Sequence, residues 1–100
     1  MPTTDYKSAL HKRLTKPDYA AKYLNAALHE DEATFLLAVR DIVEAMGGVA
    51  ALAKTTGLNR VSLYRLLSGQ GNPTLSSLNA IMRALGFILQ CRPATSRQAA

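Results

Sequence analysis

The sequence predicts an all-α protein built as one small domain, and three observations lead there. Apolar residues recur at helical spacing in successive stretches, from Tyr6, Leu10 and Leu14 to Leu78, Ile81, Met82 and Leu85. Gly47, Gly57 and Gly86 punctuate those stretches where helices would stop. Only Phe87-Ile88-Leu89-Gln90-Cys91 has strand-like composition, and so short a segment does not stand alone as a sheet. One hundred residues suit a single modest core.

Taken in order, Met1 to Thr4 are expected to fray. Tyr6, Leu10 and Leu14 mark a short first helix, surrounded by Lys7, Lys12, Arg13 and Lys16. Thr15-Lys16-Pro17-Asp18 reads as a capping box with proline in the first turn of a second helix. That helix, to about His29, carries Ala20, Tyr23, Leu24, Ala27 and Leu28 on one face, with Tyr19 and Tyr23 as packing residues. Glu30-Asp31-Glu32 opens a third helix, where acids suit the positive end of the helix dipole. Leu36, Val39, Val43 and Met46 follow a clean period there, broadened by Phe35, Ala38 and Ile42. So wide a stripe predicts the hub of the core, with Arg40, Asp41 and Glu44 outside.

Gly48 to Gly69 reads as two short helices joined by a tight turn at Thr56-Gly57. Gly57 lies where the first helix must stop in a left-handed conformation, which glycine adopts at little cost. Asn59 is placed to cap the second. Ala53 is small enough for a close crossing, and Leu52, Leu58, Leu63 and Leu66 are spaced to fill the wedge beneath. Outside remain Arg60, Val61, Ser62, Tyr64 and Arg65, a polar, basic and aromatic face. Such a pair is a helix-turn-helix, whose second helix enters the DNA major groove.

Ser68 to Thr74 follows as a loop able to lay Gln70, Asn72 and Thr74 against phosphates, with Gly69 and Gly71 allowing close approach. Thr74 also caps a last helix whose inner face is Leu75, Leu78, Ile81, Met82 and Leu85. Phe87 to Cys91 must pack on its own domain or pair with a copy of itself, and Pro93 to Ala100 reads as disordered. The expected division is 1–30 as an N-terminal helical extension, 31–92 as the helix-turn-helix domain and 93–100 as the tail.

With 48% of its residues hydrophobic, the chain is not disordered throughout. The net charge is +5, and its distribution is the more informative quantity. Residues 30–46 hold Arg40 against five acids, whereas Gly47 to the end holds six bases and no acid. A half without carboxylates attracts polyanions with no local repulsion. The single cysteine, Cys91, allows no intrachain disulfide and suits a reducing cytosol. His11 and His29 lie apart, without partners at ligand spacing, so no metal or other cofactor is expected. No apolar stretch has the length of a membrane span, and Lys7, Lys12 and Arg13 interrupt any signal-peptide run; the expected location is the cytoplasm. No serine has a histidine partner, Gly69-Gln70-Gly71 lacks the Gly-Lys-Ser/Thr of a phosphate loop, and the acids imply no pocket. An enzyme is not expected.

The pattern Leu52-Ala53, Gly57-Leu58, Asn59-Arg60, Leu63, Leu66, Gly69 and Asn72-Pro73 resembles the helix-turn-helix domain of lambda-repressor-like regulators. Gly57-Leu-Asn-Arg-Val-Ser-Leu-Tyr64 and Gly71-Asn-Pro73 resemble a narrower group, the small antidote (antitoxin) proteins of bacterial toxin–antitoxin modules. Tyr23-Leu-Asn-Ala-Ala-Leu28, Phe35-Leu36 and Asp41-Ile42 fit the same family, so the likeness runs from about Lys16 to Arg92. The resemblance implies about five helices in the DNA-binding domain. It also implies two jobs: binding its own operator as a dimer, and inhibiting a small basic ribonuclease-type toxin encoded next to it.

Three residue sets follow. For double-stranded operator DNA they are Arg60, Val61, Ser62, Tyr64, Arg65, Lys54, Gln70, Asn72 and Thr74. Arg60 or Arg65 suits a guanine, and Val61 a thymine methyl. For a homodimer on an inverted repeat they are Met82, Leu85, Phe87, Ile88 and Leu89. For the toxin they are the apolar Tyr6 and Leu10 with Glu30, Asp31, Glu32, Asp41 and Glu44. The alternative is a stand-alone lambda-repressor-like regulator with no toxin partner.

Overall fold

The computed structural model describes residues 2–95, with side chains from Tyr6 onward. Six α-helices are present among them: α1 (Pro2–Leu14), α2 (Pro17–Glu30), α3 (Glu32–Ala45), α4 (Gly48–Thr56), α5 (Arg60–Arg65) and α6 (Leu75–Ala84). The all-α expectation is met. Helix α1 begins at Pro2, so positions 2–4 are helical rather than frayed; proline is pre-organised for a first turn. Met1 and 96–100, with Arg97 and most of the expected tail, lie outside the described residues.

The capping box expected before α2 does not form. The Thr15 hydroxyl donates to the Lys12 carbonyl at 2.7 Å instead, and Lys16 stands at the cap with no side-chain bond. Pro17 alone sets the entry. Three other caps form as their residue types dictate. Asp31, Asn59 and Thr74 accept from the backbone N–H groups of Thr34, Ser62 and Ser77 at 2.6, 3.0 and 3.0 Å.

Helix α3 is the hub. Phe35, Leu36, Ala38, Val39, Ile42 and Val43 are all buried, and α3 packs against α1, α2, α4 and the turn that follows α5. One core cluster joins Leu14 of α1 and Ala20, Leu24 and Ala27 of α2 to Leu63, Leu67, Ile81, Met82 and Leu85. Residues from the first thirty positions therefore share the core with the rest.

Several edge residues differ from their expected places. Leu28 and Leu75, expected inward, are 56% and 75% exposed, each on the rim of its stripe beyond the reach of the neighbouring helix. Met46 is exposed too, because α3 ends at Ala45 before the stripe reaches it. Helix α5 ends at Arg65, and the chain continues in a π-type turn over Leu66–Gln70 that kinks at Gly69, whose φ of 88° is left-handed, before the loop of 71–74. Gly71 is required there by the chain itself, since a Cβ at that position would overlap the backbone of Leu66. Phe87 to Cys91 forms no strand among the described residues. It lies along its own domain, with Phe87 and Leu89 half-buried against the core and Ile88 67% exposed.

Candidate nucleic-acid interface

Helix α4 ends on Gly57, whose φ of 74° is left-handed and whose N–H donates to the Ala53 carbonyl at 2.8 Å. The Thr56 hydroxyl donates to the Leu52 carbonyl at 2.8 Å and accepts from the Leu58 N–H at 3.2 Å, so the turn's polar groups are tied locally. Asn59 then starts α5, and its carbonyl also accepts from the Leu63 N–H at 2.9 Å. Leu63 and Leu67, one turn apart, are 1% and 0% exposed and anchor the helix on the core. Leu67 is absent from the wedge that the sequence predicts. Its spacing from Leu63 is the available signal, hidden because the composition of 68–74 reads as loop.

With that side anchored, Arg60, Val61, Ser62, Tyr64 and Arg65 are all exposed. Arg60 and Tyr64 make one i,i+4 row and Val61 and Arg65 the next, so the five form a continuous convex face. Val61 is 65% and Tyr64 47% exposed. Among the described residues the only ion pairs are His11–Glu44 and Arg40–Glu44, so Arg60, Arg65 and Lys54 have no acid partner. Gln70 and Asn72 are exposed beside this face. The Thr74 hydroxyl is occupied by its cap and by Ser77 Oγ at 3.1 Å.

The acids of residues 30–44 lie elsewhere, at the α2–α3 junction and along α3. Glu30 and Glu32 are exposed. Hydrogen bonding from Thr34, side chain and backbone, holds the Asp31 carboxyl below its ordinary value of 3.8. Asp41 and Glu44, expected as a free outer face, are half-buried and engaged: Tyr23 O–H donates to Asp41 Oδ2 at 2.6 Å, and Arg40 Nε donates to Glu44 Oε1 at 3.1 Å. His11 stands 4.0 Å from the other Glu44 oxygen and brings α1 onto this seam. Tyr6 is 67% exposed, whereas Leu10 packs against the core. Of the residues expected to pair two copies, Met82 and Leu85 are buried in the chain's own core, where α6 packs on α4; Ile88 is the one fully outside.

Burial, and next the hydrogen bond to Asp41, push the Tyr23 hydroxyl above its ordinary value of 10.0. The folded form thus keeps a proton that the unfolded chain releases near pH 10. This contribution to stability is complete below pH 10 and is lost as pH rises through the higher folded value. Denaturation series from about pH 8 to 11 are expected to show a different alkaline slope in wild type and in Tyr23→Phe, which has no phenol to titrate. Parallel curves would contradict the assignment.

These features define a small all-helical protein with one unpaired cationic helix face, an acidic side on other helices and no buried polar side chain among the described residues. Residues 5–93 match the family described as "Probable addiction module antidote protein", and the chain belongs to that family, the antidotes of toxin–antitoxin modules. An uncharacterized protein of Haemophilus influenzae is 33% identical over 86 residues, covering 86% of this chain and 87% of that one. No solved structure matches the chain significantly. No helix among the described residues is long and apolar enough to cross a membrane.

Proposed function

We propose that this antidote is also a sequence-specific DNA-binding repressor of its own operon, acting from the cytoplasm on a small basic ribonuclease-type toxin. Helices α2 to α6 are read as a lambda-repressor-like domain, with α4 and α5 as its helix-turn-helix. The observation that carries the reading is the exposed row of Arg60, Val61, Ser62, Tyr64 and Arg65 on a helix locked from behind by Leu63 and Leu67. Rigid anchoring is what base reading needs, because a bidentate arginine–guanine contact tolerates little misplacement. Lys54, Gln70 and Asn72 supply backbone contacts around it. One such helix reads too few base pairs to find a genomic site, so two copies bind an inverted repeat. Ile88 is the exposed apolar residue of the pairing segment, with half-buried Phe87 and Leu89 behind it.

Titration of the full chain against the duplex upstream of its own gene tests this. Binding is expected to exceed that to random duplex and to fall about a thousandfold between 50 and 200 mM salt if about six phosphates are neutralised. Sedimentation of the same sample is expected to show a dimer. Equal affinity for both duplexes overturns direct readout, and a chain that reads its promoter but holds no neighbouring toxin is a stand-alone regulator.

A further inference from the structure

We propose that the groove between α2 and α3 seats an arginine side chain of the protein partner. This rests on the antidote reading and names the contact by which a basic toxin is held. The groove has a volume of about 300 Å³. Its walls include Tyr23, Ala26 and Glu30 from α2 and Leu37, Ala38 and Asp41 from α3. No lysine, arginine or histidine lines it.

Asp41 gives the groove its charge. Its Oδ2 accepts the Tyr23 hydroxyl at 2.6 Å, and it makes no ion pair among the described residues. A carboxylate has room for several further donors, so Asp41 is a half-buried charge without a countercharge. Glu44, near it on the same helix, shows the contrast: Arg40 and His11 already occupy it. An incoming cation would complete Asp41 and not Glu44. Glu30, exposed on the groove's edge, adds a second carboxylate.

The rest of the lining selects guanidinium over ammonium. Ala26, Ala38 and Leu37 make apolar walls, and the Tyr23 ring adds an aromatic one. A guanidinium is planar, weakly hydrated, carries five donors and stacks on aromatic faces, whereas an ammonium keeps its water more strongly. Nucleic acid is the wrong sign for this groove. A protein that acts on RNA carries the right one.

The test is co-expression of the full chain with the small protein encoded beside it, followed by calorimetric titration of wild type and three variants. Asp41→Asn removes the charge and keeps an acceptor for Tyr23. Ala26→Trp fills the groove from an exposed position and leaves the charge. Glu32→Gln neutralises an acid outside the groove lining. Thermal unfolding and operator binding are measured on all four, so that a loss of fold is recognised. The expected result is a loss of about tenfold or more for Asp41→Asn and Ala26→Trp and under about twofold for Glu32→Gln. One arginine-to-lysine change in the partner is expected to reproduce the loss. If wild type holds the neighbour and both groove variants hold it equally well, the groove is overturned and the antidote reading stands. If Glu32→Gln loses as much as Asp41→Asn, the attraction is diffuse and the seat is overturned. Loss in Ala26→Trp alone, or no sensitive partner arginine, overturns arginine as the occupant. If wild type does not hold the neighbour, the adjacent-toxin reading falls and takes this proposal with it.

Discussion

Replacing Leu67 by alanine is expected to destabilise the fold by about 2–5 kcal/mol, the range for deleting a fully buried leucine where the surroundings collapse only partly. Leu67 is 0% exposed and sits in the π-helical turn that packs on α3, with Leu63 at 1% beside it. The loss falls on the element that presents the cationic face. In the proposed reading DNA affinity is expected to fall with stability even though Leu67 itself is fully buried. Leu75→Ala is the control. Its side chain is 75% exposed, and a surface change of that kind stays within about 0.5 kcal/mol. Urea denaturation of both variants decides the matter. Equal effects would place Leu75 in the core and contradict the structure, since the sequence pattern alone treats Leu75 as an inner residue.

In the proposed reading, Arg60→Ala and Arg65→Ala are each expected to weaken operator binding by about 1–3 kcal/mol per half-site if the arginine reads a guanine, and to relax specificity at one base pair. An arginine that only meets phosphate behaves differently. Affinity then drops alike on all sequences, and the salt slope falls by about one for each phosphate no longer neutralised. Both side chains are exposed and free of ion pairs among the described residues, so neither substitution removes a charge pair that steadies the fold. Band-shift titration on the promoter and on single-base variants separates the two outcomes. Unchanged affinity and salt slope in both variants would remove α5 as the reading helix.

The cationic face and the acidic groove lie on different elements of the fold. Arg60 to Arg65 belong to α5, while Glu30 and Asp41 face the α2–α3 groove. In the proposed reading, toxin and operator need not compete for one surface.

What the sequence determines by itself is whatever is encoded over a few residues. Asp31, Asn59 and Thr74 cap their helices because an oxygen at the N-cap meets an N–H three positions on, with no help from elsewhere. Gly57 ends α4 for an equally local reason, and the period of Leu36, Val39 and Val43 makes α3 the hub. The exposed set on α5 is legible in the same way, as what remains once the leucines turn inward. Tertiary structure decided the rest, because local period says which residues share a face and not how far a neighbouring helix covers it. Leu28 and Leu75 sit exposed on stripe edges, while Met82 and Leu85 are buried in the chain's own core. Thr15 had two local bonds open to it and took the Lys12 carbonyl. The Tyr23–Asp41 bond and the His11–Glu44 contact join residues far apart in the chain, and no spacing rule connects them. The groove beside Tyr23 and Asp41 exists only because α2 and α3 pack with small residues between them, which is a property of two helices together and of neither alone.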